Sequence, residues 1–145
     1  MISMNTFNFA QHEEAKVPGK LFFILNAVFE GERYLVSNEE DFTYFIFEFY
    51  DPAYKTSSCA DHIFEICINK DEGEWFIDHF LELVYETNGS AVKRTTLDLS
   101  VGNNSVYLNC KKVNQEDVQE LIDHNVNLFI NNHLKDNYDV TINPF

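Results

Sequence analysis

The sequence predicts an α+β domain: a mainly antiparallel sheet covered by a long C-terminal helix, with an additional N-terminal helix left open. Three observations lead there. The stretch Phe42-Thr43-Tyr44-Phe45-Ile46-Phe47-Glu48-Phe49-Tyr50 is dominated by aromatic and β-branched residues on both alternations, the pattern of a strand in the interior of a sheet. Two further stretches, 61–70 and 92–101, alternate apolar and polar residues, and clusters of turn-forming residues punctuate the region. Near residue 114 the apolar spacing changes from two to about four, the signature of a helix face.

Taken in order, the first fifteen residues are largely polar and admit a short helix, an edge strand or a mobile tail, and the i, i+2 spacing of Phe7 and Phe9 favours docking as a strand. Pro18-Gly19 punctuates the chain. Residues 21–29 admit two readings. A helix aligns Leu21, Ile24, Leu25 and Val28; a strand aligns Leu21, Phe23, Leu25, Ala27 and Phe29. The strand is preferred, paired with Tyr34-Leu35-Val36 beyond Gly31. Glu39-Glu40-Asp41 reads as a loop at the end of the sheet, Asp51-Pro52 ends the aromatic strand, and residues 53–60 form a polar connection. Residues 75–86 are ambiguous in the same way. A strand is again preferred, placing Ile77, His79, Leu81, Leu83 and Tyr85 on one face, because Asn88-Gly89 is a favoured hairpin corner. A strand at 105–110 follows Gly102-Asn103-Asn104. Asn114 is placed to cap a helix with Glu116 and Asp117 in its first turn, and Val118, Ile122, Val126 and Ile130, widened by Leu121, Leu128 and Phe129, form its buried stripe. The helix should stop between 135 and 137, and residues 138–142 should return as an edge strand.

A chain of 145 residues fits one domain spanning 1–145, long enough to bury a core without disulfide or metal staples. Its charge is unusual. The formal net charge is -14, and residues 30–92 hold fifteen acids against only Arg33, Lys55 and Lys70. Such a field repels nucleic acid and anionic membrane surfaces and attracts basic partners, although solubility alone would also favour it. Cys59, Cys67 and Cys110 have neither metal spacing nor an even count, which matches a reducing compartment. No signal-peptide pattern or bilayer-length apolar run is present, so a cytoplasmic location is expected.

Motifs for chemistry are absent from the sequence. His12, His62, His79, His124 and His133 are scattered and form no HExxH arrangement, so no metal or other cofactor is expected. There is no GxSxG elbow, phosphate loop or dinucleotide fingerprint. Cys67 and His62 would point to opposite faces of one strand, which undermines a Cys–His pair. The adjacent bases Lys93-Arg94 and Lys111-Lys112 flank two expected strands and fit a small basic patch or an ordinary solvated edge equally well. Asp71-Glu72-Gly73-Glu74 lacks the ligand spacing of a calcium loop. Asp61, Glu65, Asp78 and Glu82 are the acids that fall inside regular segments. No catalytic residue is assigned and an enzyme is not expected.

The acidic groups Glu30, Glu32, Glu39, Glu40, Asp41, Asp71, Glu72, Glu74, Asp78 and Glu82 remain as candidate partner-binding residues, with Tyr34, Tyr44, Tyr50 and Trp75 nearby as aromatic anchors. In its acidic groups at 30–41 and 71–82 the chain resembles immunity proteins of contact-dependent inhibition and polymorphic-toxin systems. That resemblance is one of class, without a family motif. It implies a cytoplasmic protein that binds a basic cognate toxin, a nuclease for instance, and occludes its active or substrate-binding surface, without itself binding nucleic acid or membrane. Two alternatives stand beside it. An acidic homodimeric secretion chaperone would receive a disordered effector segment and use the long helix to dimerise. A DNA mimic would space its carboxylates like phosphates.

Overall fold

A computed structural model describes residues 7–12, 16–32, 42–50, 62–85, 91–100, 105–108, 111–135 and 139–145. Two α-helices and seven strands occur among them: α1 (Gly19–Glu32), β1 (Tyr44–Tyr50), β2 (His62–Asp71), β3 (Glu74–Tyr85), β4 (Ala91–Ser100), β5 (Ser105–Leu108), β6 (Lys111–Lys112), α2 (Gln115–Lys135) and β7 (Asp139–Pro144). The α+β class is as expected. Strands β1 to β6 form an antiparallel meander, and α2 returns the chain to the opposite edge, giving the order β6-β5-β4-β3-β2-β1-β7.

The first correction concerns residues 21–29, which are helical. Leu21 and Leu25 are fully buried while Phe23 is 73% exposed, a difference incompatible with their sharing a strand face. The helical alternative accounts for it: Leu21, Ile24, Leu25 and Phe29 line the buried side. Leu21 N–H donates to the Pro18 carbonyl, so the Pro18-Gly19 punctuation starts a helix. Residues 33–41 lie outside the described residues, with the strand expected at 34–36.

Both helices cover one face of the sheet. Phe45, Phe47 and Phe49 of β1 pair in register with Ile68, Ile66 and Phe64 of β2, and all six are buried on that face. Phe29 of α1 meets Phe45 edge-on at 5.3 Å, and Phe129 of α2 meets Phe49 and Phe64 at 4.9 and 5.3 Å. Helix α2 runs where expected and buries Val118, Ile122, Val126, Phe129 and Ile130. Leu128, assigned to its buried stripe, is instead 40% exposed. The aromatic strand is interior, as expected, but cover is unequal: Tyr44, Ile46 and Glu48 on the other alternation are only half-buried.

Residues 75–85 form a strand, as preferred. The face assigned to it needs correction. The register of β2 and β3 slips between Cys67 and Ile68, so that Cys67 opposes His79 while Ile68 opposes Ile77. One extra β3 residue, Asp78, is absorbed in this bulge. Ile77 therefore joins the core under the helices, whereas Leu81 is buried outside that core. Alternation in the sequence carries no sign of the slip.

The N-terminal segment docks as a strand. Strand β4 pairs with β3 only from His79 onward, which leaves the preceding edge open. Residues 8–10 fill it: Phe9 bridges Trp75 in parallel, Ala10 N–H donates to the Trp75 carbonyl, and Trp75 N–H donates to Asn8. Side-chain amides clasp this segment as peptide groups would. Asn26 bonds both backbone groups of Phe7 (2.9 and 3.3 Å), Gln11 both of Val17 (2.8 and 2.8 Å), and Gln119 both of Lys16 (3.0 and 2.6 Å). Buried His12 extends the pairing by donating from Nε2 to the Ile77 carbonyl at 2.9 Å.

The β2–β3 corner is a two-residue turn closed by the Asp71–Glu74 pair. Glu72 and Gly73 both have positive φ, 48° and 84°, the geometry of a type I′ hairpin. Glycine suits that conformation and glutamate does not. Glu72→Asn is expected to raise stability by about 0.5 kcal/mol in urea titrations. An unchanged or lower midpoint would contradict the backbone assignment.

Candidate functional site

Strands β1, β2 and β3 carry Glu48, Glu65, Asp71, Glu74, Asp78 and Glu82 against a single Lys or Arg, Lys70. The fold sorts the candidate acids into separate places. Asp71, Glu72 and Glu74 are exposed together at the β2–β3 hairpin tip. Asp78 lies further along β3, half-buried, within 3.4 Å of the Tyr44 hydroxyl on the face opposite the helices. Glu82 opposes Phe64 and Thr95 in the ladder. Glu30 is half-buried in the helical layer, away from that face, and Glu32 is the last residue of α1. Glu39, Glu40 and Asp41 lie outside the described residues, as do Tyr34 and Asp61. A single acidic surface uniting all ten candidates is therefore not what the described residues form.

The sheet face away from the helices holds residues that the candidate set omitted. Register places Tyr44 beside Asn69, Ile46 beside Cys67, and Glu48 directly opposite Glu65. His79 of β3 continues the row of Ile46 and Cys67, and Phe76 continues the row of Tyr44 and Asn69. At the other end of the rows, β7 contributes Asn143, whose Nδ2 donates to Glu48 Oε1 at 2.9 Å. The signal for Glu48 was in the sequence: it is the one charged position in an otherwise aromatic and aliphatic strand.

Two groups on this face hold their protons firmly. The Cys67 thiol is pushed up to about 12 by burial, helped by the Glu65 and Asp78 carboxylates, while a hydrogen bond with Tyr44 pulls the other way. It stays protonated and donates to Glu65 Oε1 at 3.8 Å. Tyr44 is also pushed well above its ordinary range, first by burial and then by Cys67 and Asp78, and its hydroxyl donates to Asp78. Cys67 is thus an inert buried thiol, not an activated nucleophile, even though the ladder places His79 directly opposite it. Asn69 Oδ1 is buried and accepts from no group of the protein.

Elsewhere, Lys111 and Lys112 are both exposed and form the short edge strand β6, where lysine discourages pairing with another chain. The solvated-edge reading of this pair suits its position. A groove between β6 and α2 is lined by Lys112, Val113, Asn114, Asp117, Leu121 and His124, with both signs of charge and no convergent chemistry. Among the described residues, no group of three His, Cys, Asp or Glu side chains could hold a metal ion, and no helix is long and apolar enough to cross a membrane.

Fold and surface together define a two-layer α+β domain with a carboxylate-bearing sheet face that neither described helix covers. The chain belongs to the DUF2787 family, described as proteins of unknown function, whose model matches residues 19–143. No curated protein matches the sequence. Among solved structures, the hypothetical protein VC0508 from the Vibrio cholerae VSP-II pathogenicity island is similar. Its TM-score is 0.70 at 18% identity, covering 97% of this chain and 100% of that one. Identity at that level speaks of a common fold and nothing further.

Proposed function

We propose that this protein is a non-enzymatic binding protein of the cytoplasm that neutralises a basic protein toxin, such as a nuclease, by docking an acidic surface over its active or substrate-binding site. The observation that carries this reading is the charge of β1, β2 and β3, which together hold six carboxylate residues and one lysine. An unbalanced field of that kind accelerates encounter with a cationic partner and selects against anionic ones. The exposed hairpin tip, with Glu72 held in a backbone region that asparagine or glycine would occupy more easily, presents three of these acids or their neighbours to solvent.

The chaperone alternative draws little support from α2. Its apolar stripe is spent on the sheet, and its outward side carries Glu116, Gln119, Glu120, His124 and Asn127, a poor dimerising surface. The DNA-mimic alternative needs carboxylates at phosphate-like intervals, whereas β1 to β3 distribute theirs over a turn, a cross-strand pair and the separate Asp78 and Glu82.

The test is co-expression with the protein encoded beside this one. The expected result is relief of that protein's toxicity and a purified complex whose affinity falls at least about tenfold between ~50 and ~500 mM salt. A complex with an acidic or neutral partner whose affinity ignores salt would sink the reading.

A further inference from the structure

We infer that the outer edge of β7 receives a second copy of this chain, the two copies pairing β7 to β7 antiparallel about a two-fold axis at Thr141. The sheet ends differently on its two sides. On one side the edge strand β6 is a pair of exposed lysines, which discourage pairing. On the other, β7 carries one charged residue, Asp139, and no strand lies beyond it among the described residues. Thr141 and Asn143 are exposed, and Phe145, just past the end of β7, is 62% exposed.

Backbone polarity determines what this edge presents. Phe145 N–H donates to the Tyr44 carbonyl, and the register between β1 and β7 continues without a slip. Bonding along an antiparallel strand alternates in direction. Asn143, Thr141 and Asp139 therefore turn their peptide groups towards β1, while Val140, Ile142 and Pro144 turn theirs outward. Pro144 has no N–H, which suits an outward position and leaves Val140 and Ile142 as the residues able to pair fully. Reversed about Thr141, the strand complements itself. Val140 opposes Ile142 of the second copy and Ile142 opposes its Val140, giving about four main-chain hydrogen bonds. Thr141 opposes its own counterpart, a favourable cross-strand pair. Asn143, which gives one amide proton to Glu48 and has a second, lies across from Asp139 of the second copy. Moving the axis to Ile142 would set Val140 against Pro144 and lose a bond. The formal charge of -14 on each copy opposes association, so screening favours it. Salt should tighten this dimer while loosening a complex with a basic toxin.

The test follows the full chain, 17.0 kDa per copy, by sedimentation equilibrium up to about 1 mM. A dimer is expected, with a dissociation constant that falls severalfold between ~50 and ~500 mM salt. Two variants then change net charge equally but sit differently in the register. Thr141→Lys opposes like charges across the axis and should weaken the dimer at least about tenfold, whereas Asn143→Lys faces Asp139 and should leave it unchanged or tighter. In a background with Cys59, Cys67 and Cys110 replaced by alanine, Thr141→Cys should oxidise readily to a disulfide-linked dimer, because residues opposed there have Cα atoms about 4.5 Å apart. Asn143→Cys should not. A chain that stays monomeric throughout, equal effects of the two lysine variants, or equal cross-linking by the two cysteine variants overturns the proposal. Protection of the Val140 and Ile142 amides from hydrogen exchange only when a different protein is bound would assign the edge to that protein, and overturns it as well.

Discussion

Truncation of Phe7 to alanine is expected to destabilise the protein by about 3–5 kcal/mol, a large share of the stability of a domain this size. Phe7 is 2% exposed and is the meeting point of both layers. Its ring lies 4.8 Å from Phe29 of α1, 5.4 and 6.1 Å from Phe45 and Phe47 of β1, and 5.0 Å from Trp75 of β3. Removing it opens a cavity among side chains held by both helix and sheet, so collapse around the gap is limited. Trp75 is the only tryptophan in the chain, and its fluorescence reports on this cluster directly. Denaturant unfolding followed at Trp75 should show the lowered midpoint, with Phe23→Ala, at a 73% exposed position, as the near-neutral control. A Phe7→Ala midpoint equal to that control would mean that the N-terminal segment is dispensable to the core.

The second large effect is expected at alkaline pH. Cys67 ionises at about 12 in the folded protein against an ordinary 9.0. Below pH 9 the thiol is protonated in both states and has no influence on the balance. Between pH 9 and 12 the unfolded chain loses this proton while the folded one keeps it, so fewer protons are bound on unfolding and stability falls as pH rises. One such group contributes a slope of at most about 1.4 kcal/mol per pH unit. Tyr44, raised from 10.0, adds a second loss that begins about one unit higher. Urea midpoints should accordingly be flat up to about pH 9 and then decline. Cys67→Ala should remove the earlier part of the decline, leaving the part due to Tyr44, and in a background lacking Cys59 and Cys110 the native thiol should resist alkylation. A decline of the same onset and slope in the Cys67→Ala variant would show that this thiol is not the group responsible.

Much of the architecture was legible because burial and period agree. Phe45, Phe47 and Phe49 alternate as a strand must, and Val118, Ile122 and Val126 recur as a helix must. Residues 21–29 misled because α1 is apolar on most sides; with Phe22 and Phe23 adjacent, both periods find matches, and only the exposure of Phe23 separates them. The slip between Cys67 and Ile68 is a tertiary accommodation between two strands and leaves no local mark. The carboxylates were visible as a surplus of charge, but proximity was not. Glu48 was passed over because it lies in the strand that looked most like core, and its relation to Glu65 exists only once the ladder register is known.

The closure of the sheet by β7 has a consequence for biosynthesis. Strands β1 to β6 pair with sequence neighbours and can zip as hairpins while the polypeptide is still emerging, but the outer edge of β1 waits for residues 139–144, about ninety positions later. Until those residues leave the ribosome, one of the most aromatic strands in the chain has an unsatisfied flank, and that interval is when the nascent protein is most exposed to pairing with another copy.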